Sequence, residues 1–320
     1  MNSSVDLRVW RQFVAVAEEL HFGRAAARLH MTQPPVTQAI AQLERTIGAQ
    51  LFDRTRRRVA LTPAGEALLP EVRDLLARAQ ALPARARAAA AGEVGRVRLA
   101  FVTTAGFERV PTWVREFRAA CPEVALELVE ATGDVQLEGF AREEIDAGLM
   151  LHLPGFAPPG LERLVVAQEP LVLALSARHP LAQVERPALA DVLAEPLVIF
   201  PRRILPSLHD AVHALYRGAG RAPDIAQEAI QMQTIVNLVW GGVGVAWVPA
   251  SVMQFRREGV VYRGAADLAG EGRAGRPPEL PGCETSLVWP QRDDRPALAR
   301  FVAFVRAAGA GAGATVPLAQ

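Results

Sequence analysis

The segment from residue 21 to residue 61 constrains the fold more than any other part of the chain. It reads HFGRAAARLHMTQPPVTQAIAQLERTIGAQLFDRTRRRVAL. Two helical patterns are separated by a short turn, and a stretch rich in arginine follows the second of them. Because helices and a hairpin of this length bury little apolar surface alone, they must pack together with a further helix.

The helix that closes this small core is predicted from Leu7 to about Leu20. Its apolar residues recur at three- and four-residue spacing, which makes one face of a helix apolar; they are Trp10, Phe13, Ala17 and Leu20. The same spacing assigns four polar residues to the solvent side, namely Arg11, Gln12, Glu18 and Glu19. A second helix is predicted from about Gly23 to Leu29, with Arg24 and Arg28 available to phosphates.

A third helix is predicted to start after Thr32, which can act as its N-cap. Pro34 and Pro35 fall in its first turn, where a missing N–H has no intrahelical partner to lose. Its apolar stripe consists of Val36, Ile40, Leu43 and Ile47. The stripe turns Gln33, Thr37, Gln38 and Gln42 outward, where glutamine can pair with adenine and threonine can contact a thymine methyl group. An ordinary polar surface on a helical bundle would show the same pattern.

The arginine-rich stretch after Gly48 favours DNA over that alternative. Two short strands are predicted around residues 53–57, and four arginines of this hairpin could reach the backbone or the minor groove: Arg54, Arg56, Arg57 and Arg58. Charge runs are usually only solvated, but this one follows a candidate recognition helix directly. Residues 1–61 contain nine arginines against five acidic residues, a net +4, whereas the remainder has 26 basic against 29 acidic residues, a net −3. Positive charge is therefore concentrated in the module that we predict to be a winged helix-turn-helix.

A long helix is predicted to follow, with Thr62 as N-cap and Pro63 as its first residue. Its apolar residues step by four and three along one narrow stripe; they are Leu68, Val72, Leu75, Ala79 and Leu82. A stripe this narrow suits pairing with another helix better than a globular core, so residues 62–92 are interpreted as a linker and dimerisation helix. Pro83 is expected to kink or end it.

The rest of the chain alternates strands and helices. Strands are predicted at 96–102, 124–129 and 145–151 and helices at 111–119 and 135–143, a βαβ order that indicates a largely parallel sheet covered on both faces. A second unit extends from about 167 to 267, and residues 284–308 return with the strand SLVW and a final helix. The Gly/Pro-rich run 264–282 is expected to be a surface loop.

The sequence resembles the LysR-type transcriptional regulators over nearly its whole length. The resemblance rests on FVAVAEELHFGRAAARLHMTQPPVTQAIAQLERTIGAQLFDRTRRRVALTPAG and, near the end, GGVGVAWVPAS. It implies that Gln33, Pro34, Thr37 and Gln38 face the groove and that Arg54 is the wing arginine. Many members carry Ser-Arg where this chain has Thr37-Gln38, so base preference at that step is not transferred.

The resemblance also implies the domain organisation. The fold is expected to be α/β, with a winged helix-turn-helix at 1–61, the linker helix at 62–92 and a two-lobed effector-binding domain like a periplasmic binding protein. Lobe I comprises 93–166 and 271–309, lobe II comprises 167–270, and 310–320 form a disordered tail. The expected partners are double-stranded operator DNA, a small-molecule effector, further copies in a homodimer or homotetramer, and RNA polymerase.

Effector contacts are expected where strands give way to helices, because exposed N–H groups and the helix dipole favour an anion there. Thr103 and Thr104 follow the first strand, Thr132 follows the second, and Pro206 with Ser207 opens a helix in the other lobe. By resemblance, Phe200 and Gln233 line the same cleft. Each polar residue could equally be an ordinary helix cap. The predicted effector is a small carboxylate, with an aromatic one the first choice.

Other chemistries find no support in the sequence. Gly241, Gly242 and Gly244 follow a helix and precede a strand, the reverse of a nucleotide loop, and are interpreted as a tight turn. His209 and His213 have metal-ligand spacing but no third ligand, and a surface pair is expected. No catalytic constellation, metal site or cofactor is predicted, so the chain is not expected to be an enzyme.

Two alternatives remain for the function. Cys121 and Cys283 cannot form a secreted-type disulfide framework, but a regulator that responds to cysteine oxidation would need only one reactive thiol. A solute-binding or enzymatic protein could share the α/β lobes, although the basic N-terminal module argues against it. The sequence lacks a membrane-length apolar run and the pattern of a signal peptide, which predicts a cytoplasmic protein. The main prediction is a ligand-responsive, sequence-specific DNA-binding transcriptional regulator.

Overall fold

A computed structural model describes residues 5–54, 58–107, 109–156, 158–269 and 277–311. The chain divides into two compact units, Met1–Arg87 and Ala88–Gln320. The first unit opens with three helices, α1 (Leu7–Glu19), α2 (Phe22–Arg28) and α3 (Gln33–Ile47). Two antiparallel strands follow, β1 (Phe52–Arg54) and β2 (Val59–Leu61), and then the long helix α4 (Pro63–Ala90). The predicted order of elements is thus confirmed.

The core of the first unit is built from the apolar faces of its helices. Phe13, Val36 and Ile40 are completely buried there, and the first turns of α4 cover them with Val72 and Leu76. Three assignments of the helical pattern are wrong. Gln12 is 5% exposed instead of solvent-facing, and its amide donates to the Met31 sulfur. Leu20 and Ile47 are exposed because they lie at the ends of α1 and α3, beyond the edge of the core.

The ends of the helices depend on residues that the sequence pattern placed only in part. The His21 Nδ1 atom accepts a hydrogen bond from the Arg24 amide, so His21, and not Gly23, caps α2. At the start of α4 the Thr62 hydroxyl accepts from the Gly65 amide at 3.1 Å, as predicted for an N-cap. This helix does not end at Pro83 but continues to Ala90. Its alanine-rich last turns are exposed, and water can satisfy the carbonyl that the proline leaves unpaired.

The second unit contains nine further strands and six further helices among the described residues. The strands are β3 (Gly95–Phe101), β4 (Val124–Glu130), β5 (Ala147–His152), β6 (Leu161–Ser176), β7 (Leu197–Ile199), β8 (Ile225–Glu228), β9 (Ala246–Pro249), β10 (Val260–Arg263) and β11 (Gly282–Pro290). The helices are α5 (Arg109–Ala120), α6 (Gly133–Ala141), α7 (Leu189–Val192), α8 (Pro206–Gly218), α9 (Met232–Trp240) and α10 (Pro296–Gly311). Residues 270–276 of the predicted loop and 312–320 of the predicted tail lie outside the described residues.

The sheet of the second unit is mixed, so the prediction of a largely parallel sheet is wrong. Its strand order is β10-β6-β11-β5-β3-β4, and β9 also pairs with β6. Parallel pairing is confined to β3 with β4 and β5, and to β7 with β8. The return strand β11 is inserted between β5 and β6 and runs opposite to both. Hydrophobic periodicity carries no information on strand direction, which is why this insertion was missed.

Strand β6 belongs to two lobes. Its first part, up to Pro170, pairs with β11, and its last part pairs with β9 and β10. The first lobe packs α5 and α10 around Phe117 and Phe301, and the second packs α8 and α9 around Leu173 and Trp247. The turn from α9 to β9 uses Gly242 at φ +80°, a left-handed conformation that favours glycine, so the interpretation of these glycines as a turn is confirmed. None of the described helices has the length and apolar character needed to span a bilayer.

Candidate DNA-binding surface and ligand cleft

The polar face of α3 is the first candidate site. Val36, Ile40 and Leu43 are buried beneath it and fix the rotation of the helix about its axis. Gln33, Pro34 and Gln38 are exposed on the opposite side, and Thr37 is half-buried. The Thr37 hydroxyl donates to the Gln33 carbonyl at 3.1 Å, which leaves its lone pairs and its methyl group for another partner. The four residues predicted to face the groove thus occupy one accessible surface.

The start of α3 differs from the expectation in one respect. Thr32 is the N-cap residue, but its side chain makes no capping hydrogen bond. A capping side chain bonds to the amide of the second or third helical residue. In α3 these residues are Pro34 and Pro35, which have no N–H to donate. The prolines, and not the threonine, therefore define where this helix begins.

Glu44 joins α3 to the hairpin of β1 and β2, which we call the wing. Its Oε1 atom accepts from the backbone amides of Leu51 and Phe52 at 3.0 and 3.2 Å. Its Oε2 atom accepts from the guanidinium of Arg54 at 2.7 Å, and that guanidinium lies 4.9 Å from the centre of the Phe22 ring. One carboxylate therefore holds the wing against the helix, and Arg54 is oriented from two sides while its side chain stays about one-third exposed.

The other arginines of this unit differ in their surroundings. Arg24 and Arg28, expected to be available to phosphates, form ion pairs with Glu18 and Glu19. Arg58 is exposed beside the start of β2. Arg56 and Arg57 lie outside the described residues, so their predicted contacts with DNA have no structural description.

A cleft of about 400 Å³ between the two lobes is the second candidate site. Thr103, Thr104 and Thr132 line it, which brings together three of the residues predicted from strand ends. The described residues that complete its wall are mostly apolar: Val102, Ala131, Leu151, Ile204, Leu205, Ile230, Gln231 and Met232. None of these lining residues is charged. The cleft therefore offers hydroxyl groups on one side and hydrocarbon on the other.

Thr103 connects the two lobes across this cleft. It opens the 3₁₀ turn Thr103–Gly106 that follows β3. Its hydroxyl lies 2.6 Å from a carboxylate oxygen of Glu130, at the end of β4, and also contacts the side-chain amide of Gln231 in the second lobe. A hydroxyl donates only one hydrogen bond. A ligand that bonds to Thr103 would therefore compete with Glu130 or Gln231 and alter the contact between the lobes.

The other two threonines present unused bonding capacity. The Thr104 hydroxyl is buried, and it has no hydrogen-bond partner among the residues that the structure describes. Thr132 is the N-cap residue of α6 but donates to the carboxylate of Asp134 and makes no capping bond. The amides that a cap would satisfy at the start of α6 are thus left to another acceptor. An anion could satisfy these amides and the Thr104 hydroxyl together.

Four residues predicted for this cleft are not among those that line it. Phe200 is 0% exposed and packs in the core of the second lobe, so its assignment to the cleft is wrong. Pro206 is the first residue of α8, and the cleft faces the residues before it, Ile204 and Leu205. The Ser207 hydroxyl accepts from the Leu153 amide at 3.1 Å. Gln233 lies two residues beyond Gln231, a rotation of about 200° around the helix axis.

The histidine pair is also placed differently from the expectation. His209 is buried on the inner face of α8 and stacks on His213 with ring centres 4.2 Å apart, so the prediction of a surface pair is wrong. Burial and the neighbouring His209 lower the pKa of His213. Within the described ranges no group of three metal-ligating side chains is formed. The pair is part of the packing of the second lobe.

Both cysteines are free and buried. Burial, together with Glu169 and Glu284, raises the pKa of the Cys283 thiol well above its ordinary value. Because the thiolate is the reactive form of cysteine, Cys283 is poorly suited to sensing oxidants. Cys121 accepts a hydrogen bond from the Arg300 guanidinium at 3.2 Å.

Comparisons with known proteins match both units. Residues 7–66 fit the family model described as bacterial regulatory helix-turn-helix protein, lysR family, and residues 90–310 fit the LysR substrate binding domain. The transcriptional regulator IlvR of Caulobacter vibrioides is 43% identical over 306 residues, which cover 94% of this chain and 97% of the relative. The Hca operon transcriptional activator HcaR of Escherichia coli is 33% identical over 302 residues, which cover 94% of this chain and 97% of the relative.

Solved structures agree with the family models. The crystal structure of full-length CbnR with its target DNA has a TM-score of 0.73 at 31% identity and covers 95% of this chain and all of that one. Full-length BenM has a TM-score of 0.54 at 26% identity, with 98% and 100% of the two chains covered. The similarity therefore spans the helix-turn-helix, the long helix and both lobes.

Proposed function

The chain belongs to the LysR family of transcriptional regulators, and on that premise we propose that it recognises an operator through α3 and the wing and responds to a small organic acid bound in the cleft between its lobes. As a member of that family it is a DNA-binding regulator and not an enzyme. The proposal concerns the parts of the chain that would contact DNA, effector and partner subunits.

The observation that carries the DNA part of the proposal is the accessible polar face of α3 beside an immobilised wing. Gln33, Pro34, Thr37 and Gln38 would face the bases of the major groove, where side-chain contacts specify sequence. Arg54, Arg56 and Arg57 would contact the backbone or the adjoining minor groove. Among the relatives, CbnR has been solved in a complex with its target DNA.

Replacing Arg54 with alanine tests the role of the wing. If the guanidinium reaches DNA, we expect affinity for the operator to fall by about 1–3 kcal/mol, as measured by fluorescence anisotropy at fixed salt concentration. The change also removes the ion pair with Glu44, so the thermal unfolding of each variant must be recorded. Glu44→Gln is the matched control, because it weakens that ion pair and keeps the arginine. If Arg54→Ala affects stability only, the arginine has a purely structural role.

The effector part of the proposal rests on the two unlike walls of the cleft. A carboxylate would bond to Thr103, Thr104 and Thr132 near the start of α6, since hydroxyl groups and helix N-termini can bind an anion without an arginine. The apolar part of the ligand would lie against Ile204, Leu205 and Met232, a wall wide enough for an aromatic ring. We therefore propose small carboxylic acids, aromatic ones first, as the effector class.

Replacing Thr103 and Thr132 together with valine tests this site. A ligand at a hundred times its Kd stabilises the folded state by about 2.7 kcal/mol, so an acid that binds should raise the melting temperature of the unmutated protein. We expect that increase to disappear in the double variant, while binding to the operator without effector is retained. Thr234→Val, on the exposed side of α9, is the matched control. An increase that survives in the double variant would place the ligand elsewhere.

We also propose that the protein works as an oligomer. Leu75 is 43% and Leu82 63% exposed on α4, and both belong to the stripe predicted for helix pairing. In the second unit β4 is an edge strand that exposes Leu128 and Val129. A homodimer would form through α4, and a homotetramer through the edges of the lobes. Bound at a promoter, this assembly would affect transcription through contact with RNA polymerase.

A further inference from the structure

A second cleft, of about 380 Å³, shares Thr104 with the first. Its described lining is more polar than that of the first cleft and consists of Thr104, Ala105, Arg109, Ala167, Glu169, Ser251, Gln254 and Thr285. The residues come from the start of α5, from β6 and β11, and from the turn that follows β9. Its volume lies within the range of small-molecule sites, about 300–1,000 Å³.

Two opposite charges face this cleft. Glu169 is buried on β6, and its carboxylate accepts hydrogen bonds from the backbone amide of Ser251 and, at 3.1 Å, from the Ser251 hydroxyl. Burial raises the pKa of Glu169, whereas the bonds from Ser251 and the charge of Arg109 oppose that shift. Arg109 is half-buried at the first position of α5. The carboxylate is therefore fixed in place, and the guanidinium is close enough to affect its ionisation.

A buried hydroxyl without a partner lies between these groups and the first cleft. Thr104 is 8% exposed, and none of the described residues bonds to its oxygen. Leaving such a group unpaired costs folding free energy that a ligand could recover. Thr285, which is also buried, adds a second hydroxyl on the opposite wall. The cleft thus combines a fixed carboxylate, a guanidinium and two hydroxyl groups in a partly enclosed space.

We propose that this second cleft binds a small zwitterion, an α-amino acid, with its ammonium group at Glu169 and its carboxylate at Arg109. A simple anion would be repelled by Glu169, and a simple cation by Arg109. A zwitterion satisfies both charges and leaves the site neutral, and its side chain would lie against Ala105 and Ala167. The amino acid would then act as a second input, separate from the organic acid in the first cleft and connected to it through Thr104.

Isothermal titration calorimetry on the full chain tests this assignment, with L-alanine, L-valine, L-leucine and L-serine as probes. Their N-acetyl derivatives lack the positive charge and their amides lack the negative charge, so both derivatives should fail to bind. Hydrogen bonds to charged groups are strong enough that losing one weakens binding about tenfold to a hundredfold. We expect this loss in Glu169→Gln and in Arg109→Met. Because Arg109 is only half-buried, the second variant should keep the fold, as thermal unfolding would verify.

Thr132→Val is the control for the location of the site, because Thr132 lines only the first cleft. The affinity for the amino acid should be the same in this variant as in the unmutated protein. The proposal is overturned if none of the four probes gives a binding heat at millimolar concentration, or if N-acetyl derivatives bind as well as free amino acids. It is equally overturned if Thr132→Val, and not Arg109→Met, removes binding.

Discussion

Replacing Gln33 and Gln38 together with alanine should abolish the preference for operator over random duplex DNA and leave the fold unchanged. Both side chains are exposed on α3, above a buried stripe that neither of them contacts in the core. A good bidentate contact between a side chain and a base contributes about 1–3 kcal/mol of discrimination. Losing two such contacts would remove most of the specificity, whereas the charge-based affinity for any duplex would remain.

The measurement needs an operator, which sequencing of genomic fragments bound by the purified protein would supply. Fluorescence anisotropy at one salt concentration then gives the ratio of affinities for operator and random duplex. Gln80→Ala is the matched control, because Gln80 is an exposed glutamine on α4, outside the helix-turn-helix. If the double variant keeps the ratio of the unmutated protein, α3 is not the element that reads the bases.

Leu75→Asp is expected to convert the proposed dimer into monomers and to eliminate binding to a palindromic operator. A leucine buried at an interface contributes about 1.5–3 kcal/mol, and twofold symmetry places two of them in each dimer. The substitution also buries two like charges against each other. Leu75 makes little contact within its own chain, whereas its neighbour Leu76 is buried in the first unit, so the variant should still fold.

Light scattering gives the mass of the assembly, and anisotropy with full and half operators gives the two affinities. Ala77→Asp introduces the same charge on an exposed side of α4 outside the predicted stripe, and should leave the mass unchanged. The proposal of a paired α4 would be wrong if the unmutated chain were a folded monomer in solution. It would also fail if both aspartate variants dissociated alike.

The sequence predicted the elements of the first unit well because their apolar spacing is strong and local. The helices α1 to α3 begin and end close to the predicted residues, and Val36, Ile40 and Leu43 are buried as expected. Errors occur where the pattern extends past the packed region, as at Leu20 and Ile47. Periodicity assigns a residue to a face of a helix, but the neighbouring elements decide how far along that face the core extends.

The second unit shows a different limit. The ends of β3 and β4 were predicted, so Thr103, Thr104 and Thr132 were found, but Phe200 was assigned to the cleft and is buried in the core. The side of a loop that faces a cleft depends on the docking of one lobe against the other, which no local pattern encodes. For the same reason Ile204, Leu205 and Gln231 were missed, although each directly precedes a helix whose start the sequence signals.

The three bonds of Glu44 have an evolutionary consequence. They fix the wing to α3 through a residue that makes no bond to Gln33, Thr37 or Gln38 in the structure. Substitutions at those three positions can therefore accumulate one at a time without loosening the hairpin. A descendant of this regulator could acquire new target genes by exchanging a single exposed side chain, while every change at Glu44 would be removed by selection. Retargeting and structural integrity are inherited here as separate properties of one helix.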